Sequence, residues 1–211
     1  MNPPNQDRWN RLCGTVGANE TAKDWYARLT DAYHEPQRHY HNWQHIAECL
    51  AEFDDARHLA QQPDAVELAL WFHDAVYDPK AADNEERSAA LAKQCLSSCG
   101  VSQMVAEAVE SLVMATKHHE AKAHVDAGLM IDVDLSILGR EEARFFEYER
   151  QIREEYAWVP AEVFSAKRAE ILEKFLARER IYATELFRRK YEKQARANLA
   201  ASIRGLKAQG Q

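Results

Sequence analysis

Apolar and polar residues follow one another along this chain with the three-to-four spacing of amphipathic helices. The first such segment spans about residues 21–33. The next covers about 42–60 and sets Trp43, Ile46, Ala47, Leu50 and Phe53 on one face. The run 65–72 is apolar almost throughout, which marks a buried helix, and it closes on His73 and Asp74. After the polar turn Asp78-Pro79-Lys80, a helix over about 85–97 stops at Gly100, the residue type best suited to a helix end. Ser102 is a candidate cap for the following helix, in which Val105, Ala108, Val109, Leu112, Val113 and Thr116 share a face. A short apolar stretch over 129–138 ends at Gly139, and helices over about 141–155 and 161–206 complete the chain. Pro160 stands where a first helical residue is expected, and the last region is long enough for two helices. No stretch alternates with period two over a useful length, so the pattern predicts an all-α protein.

Composition agrees. Glycine (7) and proline (6) are scarce in 211 residues, and the 46% hydrophobic content suffices for a core. The length suits one domain over 1–211, with a core over about 21–140 followed by C-terminal helices over 141–206. A net charge of −7 argues against a long nucleic acid as partner, but leaves room for a small phosphorylated ligand. The four cysteines, Cys13, Cys49, Cys95 and Cys99, show no CxxC spacing. They read as free thiols of a reducing cytoplasm and argue against a zinc–thiolate site. The first residues lack the layout of a signal peptide, and no stretch is long and apolar enough to span a bilayer, so no membrane partner is expected. A homodimer is left open.

The chemistry begins at His73-Asp74. Two ionisable side chains at the end of so apolar a segment need partners, because unpaired charge is costly to desolvate. A metal ion is the simplest partner for an adjacent imidazole and carboxylate. His45 flanks the apolar stripe of its own helix and is a candidate further ligand. Asp132 and Asp134 lie within the apolar stretch 129–138 and also call for a cation; either could be the ligand, the other capping a helix. Two imidazoles and two carboxylates suit one divalent ion such as Mn, Fe, Co, Ni, Zn or Mg, with positions left for water and a phosphate oxygen.

The order H…HD…D, carried by "RHYHNWQHI" from Arg38, "WFHDAVYD" from Trp71 and "DVDLSILG" from Asp132, resembles the HD-domain superfamily of metal-dependent phosphohydrolases, in particular a bacterial branch of it. "DNEERSA", "TKHH" and "ARANL" extend the resemblance over 38–199. The resemblance implies a single HD-type helical bundle in which His45, His73, Asp74 and Asp134 hold the metal, and it favours Asp134 over Asp132. It also implies hydrolysis of a nucleotide or similar small phosphate ester, with metal-bound water attacking phosphorus. The alternative is a non-catalytic HD module that binds a nucleotide or metal as a sensor.

Other residues are candidates around that centre. Alarmone-hydrolysing members of the superfamily carry HDxxED, whereas this chain has Tyr77 in place of the first acid and Asp78 in place of the second. Alarmone hydrolysis is therefore not expected. Asp78 becomes a candidate general acid/base beside Asp74, with Glu85 or Glu86 behind it; the alternative is a turn-starting aspartate. Arg38 is a candidate phosphate clamp, or else a surface ion pair. His41, four residues before His45, is a candidate substrate group. Lys117 and His119 are candidate phosphate contacts, because His119 falls near the apolar face of its helix while His118 points away; the alternative is that both histidines cover a helix end. Arg168 lies inside an apolar stripe with Phe164, Ile171, Phe175 and Tyr182, where pairing with a core acid is the expected outcome.

Overall fold

The computed structural model describes residues 5–119 and 124–209, with the side chain of residue 209 excepted, and these are helical with no strand among them. The chain forms two compact units, Met1–Val133 and Asp134–Gln211, and the division falls at the last residue of a helix.

The first unit contains α1 (Gln6–Thr15), α2 (Ala22–Tyr33), α3 (Trp43–Ala56), α4 (Pro63–Phe72), α5 (Asn84–Ser98) and α6 (Gln103–Ala115). It also contains α7 (Val125–Asp134) up to its last residue. Its centre is α4, in which every residue from Ala65 to Phe72 is buried. The other helices pack around it: α1, α3, α5 and α6 all contact α4. Asp126 fixes where α4 begins. Its carboxylate accepts the N–H groups of Gln61 (2.7 Å) and Gln62 (2.9 Å) just ahead of Pro63. Glu67 enters the buried run as an ion-paired residue, held by Arg8 at 2.7 Å and by Arg57.

Helix signals in the sequence act as expected at several ends. Asn42 caps α3 by accepting from Gln44 N–H at 2.9 Å, Ser102 caps α6, and Gly100 takes the left-handed φ of +76° that closes α5. Two details differ. Pro160 is the cap of its helix, one position before the first helical residue. The N-terminal segment, read as having no helix before residue 21, forms α1. Trp9, fully buried, explains it: the indole sits edge-on to Trp71 at 5.4 Å and donates to the Ala22 carbonyl at 2.7 Å. The four cysteines are free and buried, and burial pushes the Cys13 thiol up to about 12.

The second unit holds a 3-10 turn (Leu135–Gly139), α8 (Glu142–Glu155), α9 (Ala161–Leu176), the short α10 (Glu185–Phe187), a π turn (Arg188–Glu192) and α11 (Lys193–Gln209). Buried Asn198 of α11 donates to the carbonyls of Leu138 (2.9 Å) and Arg140 (2.8 Å), satisfying the end of the 3-10 turn. The inward Arg168 pairs with Glu149 and donates to the Tyr148 hydroxyl at 2.6 Å, which is the structural pairing expected of it. No described helix is long and apolar enough to cross a membrane.

Gly139 is more than a stop signal. A Cβ there would lie 2.9 Å from the Cα of Tyr191, so the two backbones approach too closely for any side chain. Gly139→Ala is therefore expected to destabilise the protein by about 1–3 kcal/mol through overpacking, read as a lowered midpoint in thermal unfolding; an unchanged midpoint contradicts the close approach.

Candidate metal centre

Two helix ends carry the site. Asn42 also accepts from the His45 N–H at 3.4 Å, which sets His45 in the first turn of α3. His73 follows the last residue of α4, with Asp74 next. Asp134 is the last residue of α7. Both histidines are 2% exposed, and the ring of Tyr40 covers His45 at 4.7 Å.

The two imidazoles meet through their outer nitrogens. His45 Nε2 and His73 Nε2 are 3.0 Å apart. Asp74 Oδ2 lies 3.4 Å from the first and 3.2 Å from the second. The tautomer of His73 is set from behind, because its Nδ1–H donates to the Leu70 carbonyl at 3.0 Å. In the neutral ring this leaves Nε2 with a lone pair directed at His45 and Asp74. Lone pairs facing one another at such distances need a proton or a metal cation among them, and a histidine fixed through its other nitrogen is how proteins present imidazole to metals.

The spacing fits one ion. Two ligands each about 2.0–2.1 Å from a metal lie about 2.9 Å apart at a right angle and about 3.4 Å apart at the tetrahedral angle. The three separations above, from 3.0 to 3.4 Å, fall in that interval. His45, Cys49 and His73 form a buried cluster whose ligand atoms all lie within 4.8 Å of one another, and which can hold a metal ion. Of the two candidate carboxylates of α7, Asp132 is fully buried and Asp134 is partly so.

The electrostatics favour a cation. Burial opposes ionisation of Asp74, but the charges of His73 and His41, with hydrogen bonds from His45 and His73, hold its carboxyl well below the ordinary carboxylate range. Asp74 therefore presents a carboxylate at neutral pH.

Cys49 is the member that sequence reasoning missed. It lies one helical turn after His45, and its Sγ is 3.7 Å from both ring nitrogens of that histidine. The signal was there in the i,i+4 spacing of an imidazole and a thiol, but the search for CxxC pairs passed over it. A thiol therefore stands within reach of the metal site despite the lack of CxxC spacing.

The surrounding candidates fare unevenly. His41 comes close to the centre: its ring is 6.1 Å from that of His45, stacks on Tyr77 at 4.2 Å, and acts electrostatically on Asp74. Arg38 is not a phosphate clamp. Its side chain is 1% exposed, and its donors go to Glu35 and to the backbone carbonyls of His41, Asp74 and Ala75. Lys117 is engaged by Glu86 and by the Ala82 carbonyl at 3.2 Å, so its charge is already answered locally. Asp78 is exposed and accepts from Lys80 N–H at 2.9 Å. This is the turn-starting role, and it takes up the carboxylate proposed as acid/base. His119 follows α6 with a left-handed φ of 47° and is not part of the cluster, while His118 lines a cavity of about 470 Å³ with His124 and Asp126.

Comparison with protein-family models, with curated proteins and with solved structures gives no match.

The cluster makes a direct expectation for binding. Titration with Co²⁺ should show one tight site per chain. His73→Ala should weaken it more than ~100-fold, beyond the usual effect of losing a group behind a ligand. Cys49→Ser should remove any sulfur-to-cobalt charge-transfer band. Equal binding by wild type and His73→Ala contradicts the assignment.

Proposed function

We propose that this chain is a metal-dependent phosphohydrolase of the HD type, acting on a nucleotide or a similarly small phosphate ester. The observation that carries this reading is the convergence of His45, His73 and Asp74 within 3.4 Å at the buried end of α4. The ligands occur along the chain in the H…HD…D order of the HD resemblance. His45, His73 and Asp74, with Asp134 as the resemblance implies, would hold a divalent ion of the Mn, Fe, Co, Ni, Zn or Mg group, which when bound would acidify a water and offset charge on a phosphoryl group. Cys49 moves the donor set toward Zn, Co or Fe and away from Mg, because thiolate is a soft ligand.

The chain's own groups divide the remaining work. Asp74 accepts hydrogen bonds in its ionised form. His41 stands half-buried beside Tyr77, where an imidazole can donate to a phosphate oxygen or hold a proton for the leaving group. His41 takes this role in place of Asp78, whose carboxylate closes a turn. The four buried free thiols favour a reducing compartment, and we place the protein in the cytoplasm.

One observation favours a second reading. Tyr77 replaces an acid and Asp78 is tied to Lys80 N–H, so the pair that assists water in alarmone hydrolases is missing here. A metal- or nucleotide-binding sensor on the same scaffold needs no such pair. A panel of nucleotides and simple phosphoesters, assayed with added Mn²⁺, Co²⁺ or Ni²⁺, separates the two readings. Hydrolysis is expected for wild type, with a loss of ~100-fold or more in a His73→Ala/Asp74→Ala variant. Metal binding without turnover on any ester supports the sensor and contradicts the enzyme.

A further inference from the structure

The end of α4 is buried, and a helix end leaves its last carbonyls without partners inside the helix. Side chains and backbone supply the donors here. Leu70 O accepts from His73 Nδ1 at 3.0 Å, Trp71 O from the Tyr33 hydroxyl at 2.9 Å, and Phe72 O from Ala75 N–H at 2.9 Å. Beyond them, Arg38 Nη1 donates to Asp74 O at 2.6 Å and Nη2 donates to Ala75 O at 3.0 Å. The same Nη1 reaches back to His41 O at 3.1 Å. The guanidinium lies 5.3 Å from the ring of Tyr33 and 5.6 Å from that of Tyr77, and its Nε is held by Glu35 at 2.9 Å.

One planar fork therefore joins two segments that both serve the centre: the turn through Asp74 and Ala75, and the approach to α3 through His41. The helical part of α4 is held by other donors and by its packing. At this helix end Arg38 bonds only Asp74 and Ala75, past the last helical residue; its other bonds go to His41 and Glu35. We propose that Arg38 is a positioning residue that sets the affinity of the metal centre: through the Asp74 and Ala75 carbonyls it holds the Asp74 carboxylate against the two histidines, without touching metal or substrate. The inference rests on the metal-centre reading above.

Lysine cannot replace it. An ammonium is a point charge without the fixed fork that meets three carbonyls from one plane. Losing the fork leaves buried carbonyls to be satisfied by rotation of the Asp74–Ala75 peptide, and the carboxylate moves with it.

The test is Co²⁺ affinity in four proteins: wild type, Arg38→Lys, Asp74→Asn and the double variant, each checked for folding by circular dichroism. Arg38→Lys should weaken Co²⁺ by about 10–100-fold, the usual cost of losing a group that orients a ligand. In the Asp74→Asn background the same substitution should change affinity by less than ~3-fold, because a residue that acts through Asp74 is not additive with its loss. If Arg38→Lys does not fold, Arg38→Gln takes its place in the cycle. Wild-type affinity in Arg38→Lys, or an equal loss in both backgrounds, overturns the role of Arg38 alone. A wild-type protein that takes up no cobalt overturns the metal centre and this role with it.

Discussion

The structure depends on a helix that ends inside the protein. α4 is buried along its whole apolar run, so its carbonyl end cannot be solvated and must be met by donors from its neighbours. Tyr33, His73 and the Ala75 N–H provide them, and Arg38 meets the carbonyls of Asp74 and Ala75 just beyond. Each of these donors orders something else at the same time. His73 gains a defined tautomer, and Asp74 gains a fixed backbone. The aromatic rings of α1, α2 and α3 pack around Trp71, where Trp9, Tyr26 and Trp43 all lie within 6.2 Å of it. Satisfying a buried helix end and presenting an imidazole beside a carboxylate are thus one construction.

The charges at that end explain why a cation suits it. The two imidazoles face each other through Nε2, and a carboxylate stands beside both, kept ionised although desolvation opposes it. Such a group of donors is costly in an apolar interior unless positive charge is shared among them. Arg38, the cation beside it, is committed to backbone carbonyls. His41 lies half-buried beside the centre.

Much of this was legible in the sequence. Helical periodicity located α2 through α6 and α8 to within a few residues, because caps such as Asn42 and Ser102 and the stop at Gly100 act locally, whereas the end of α9 inside 161–206 was not marked. Also visible were His45, His73 and Asp74, which the structure brings together, because polar residues in apolar runs demand an explanation. What escaped depends on tertiary placement. α1 has a polar start that hides the burial of Trp9 and Leu12. Arg38 was read as a phosphate clamp because its sequence neighbours do not reveal three carbonyls converging on it. Asp78 was read as an acid, although the Asp-Pro-Lys turn gave the correct local role. Cys49 was passed over because its partner is a histidine one turn away and not a second cysteine.

X-ray absorption spectroscopy of the Co²⁺-loaded protein tests the central claim most directly. The account predicts two imidazole nitrogens about 2.0–2.1 Å from the metal, with their outer-ring scattering, accompanied by carboxylate oxygen. An all-oxygen shell without imidazole would place the ion elsewhere and contradict the assignment of His45 and His73.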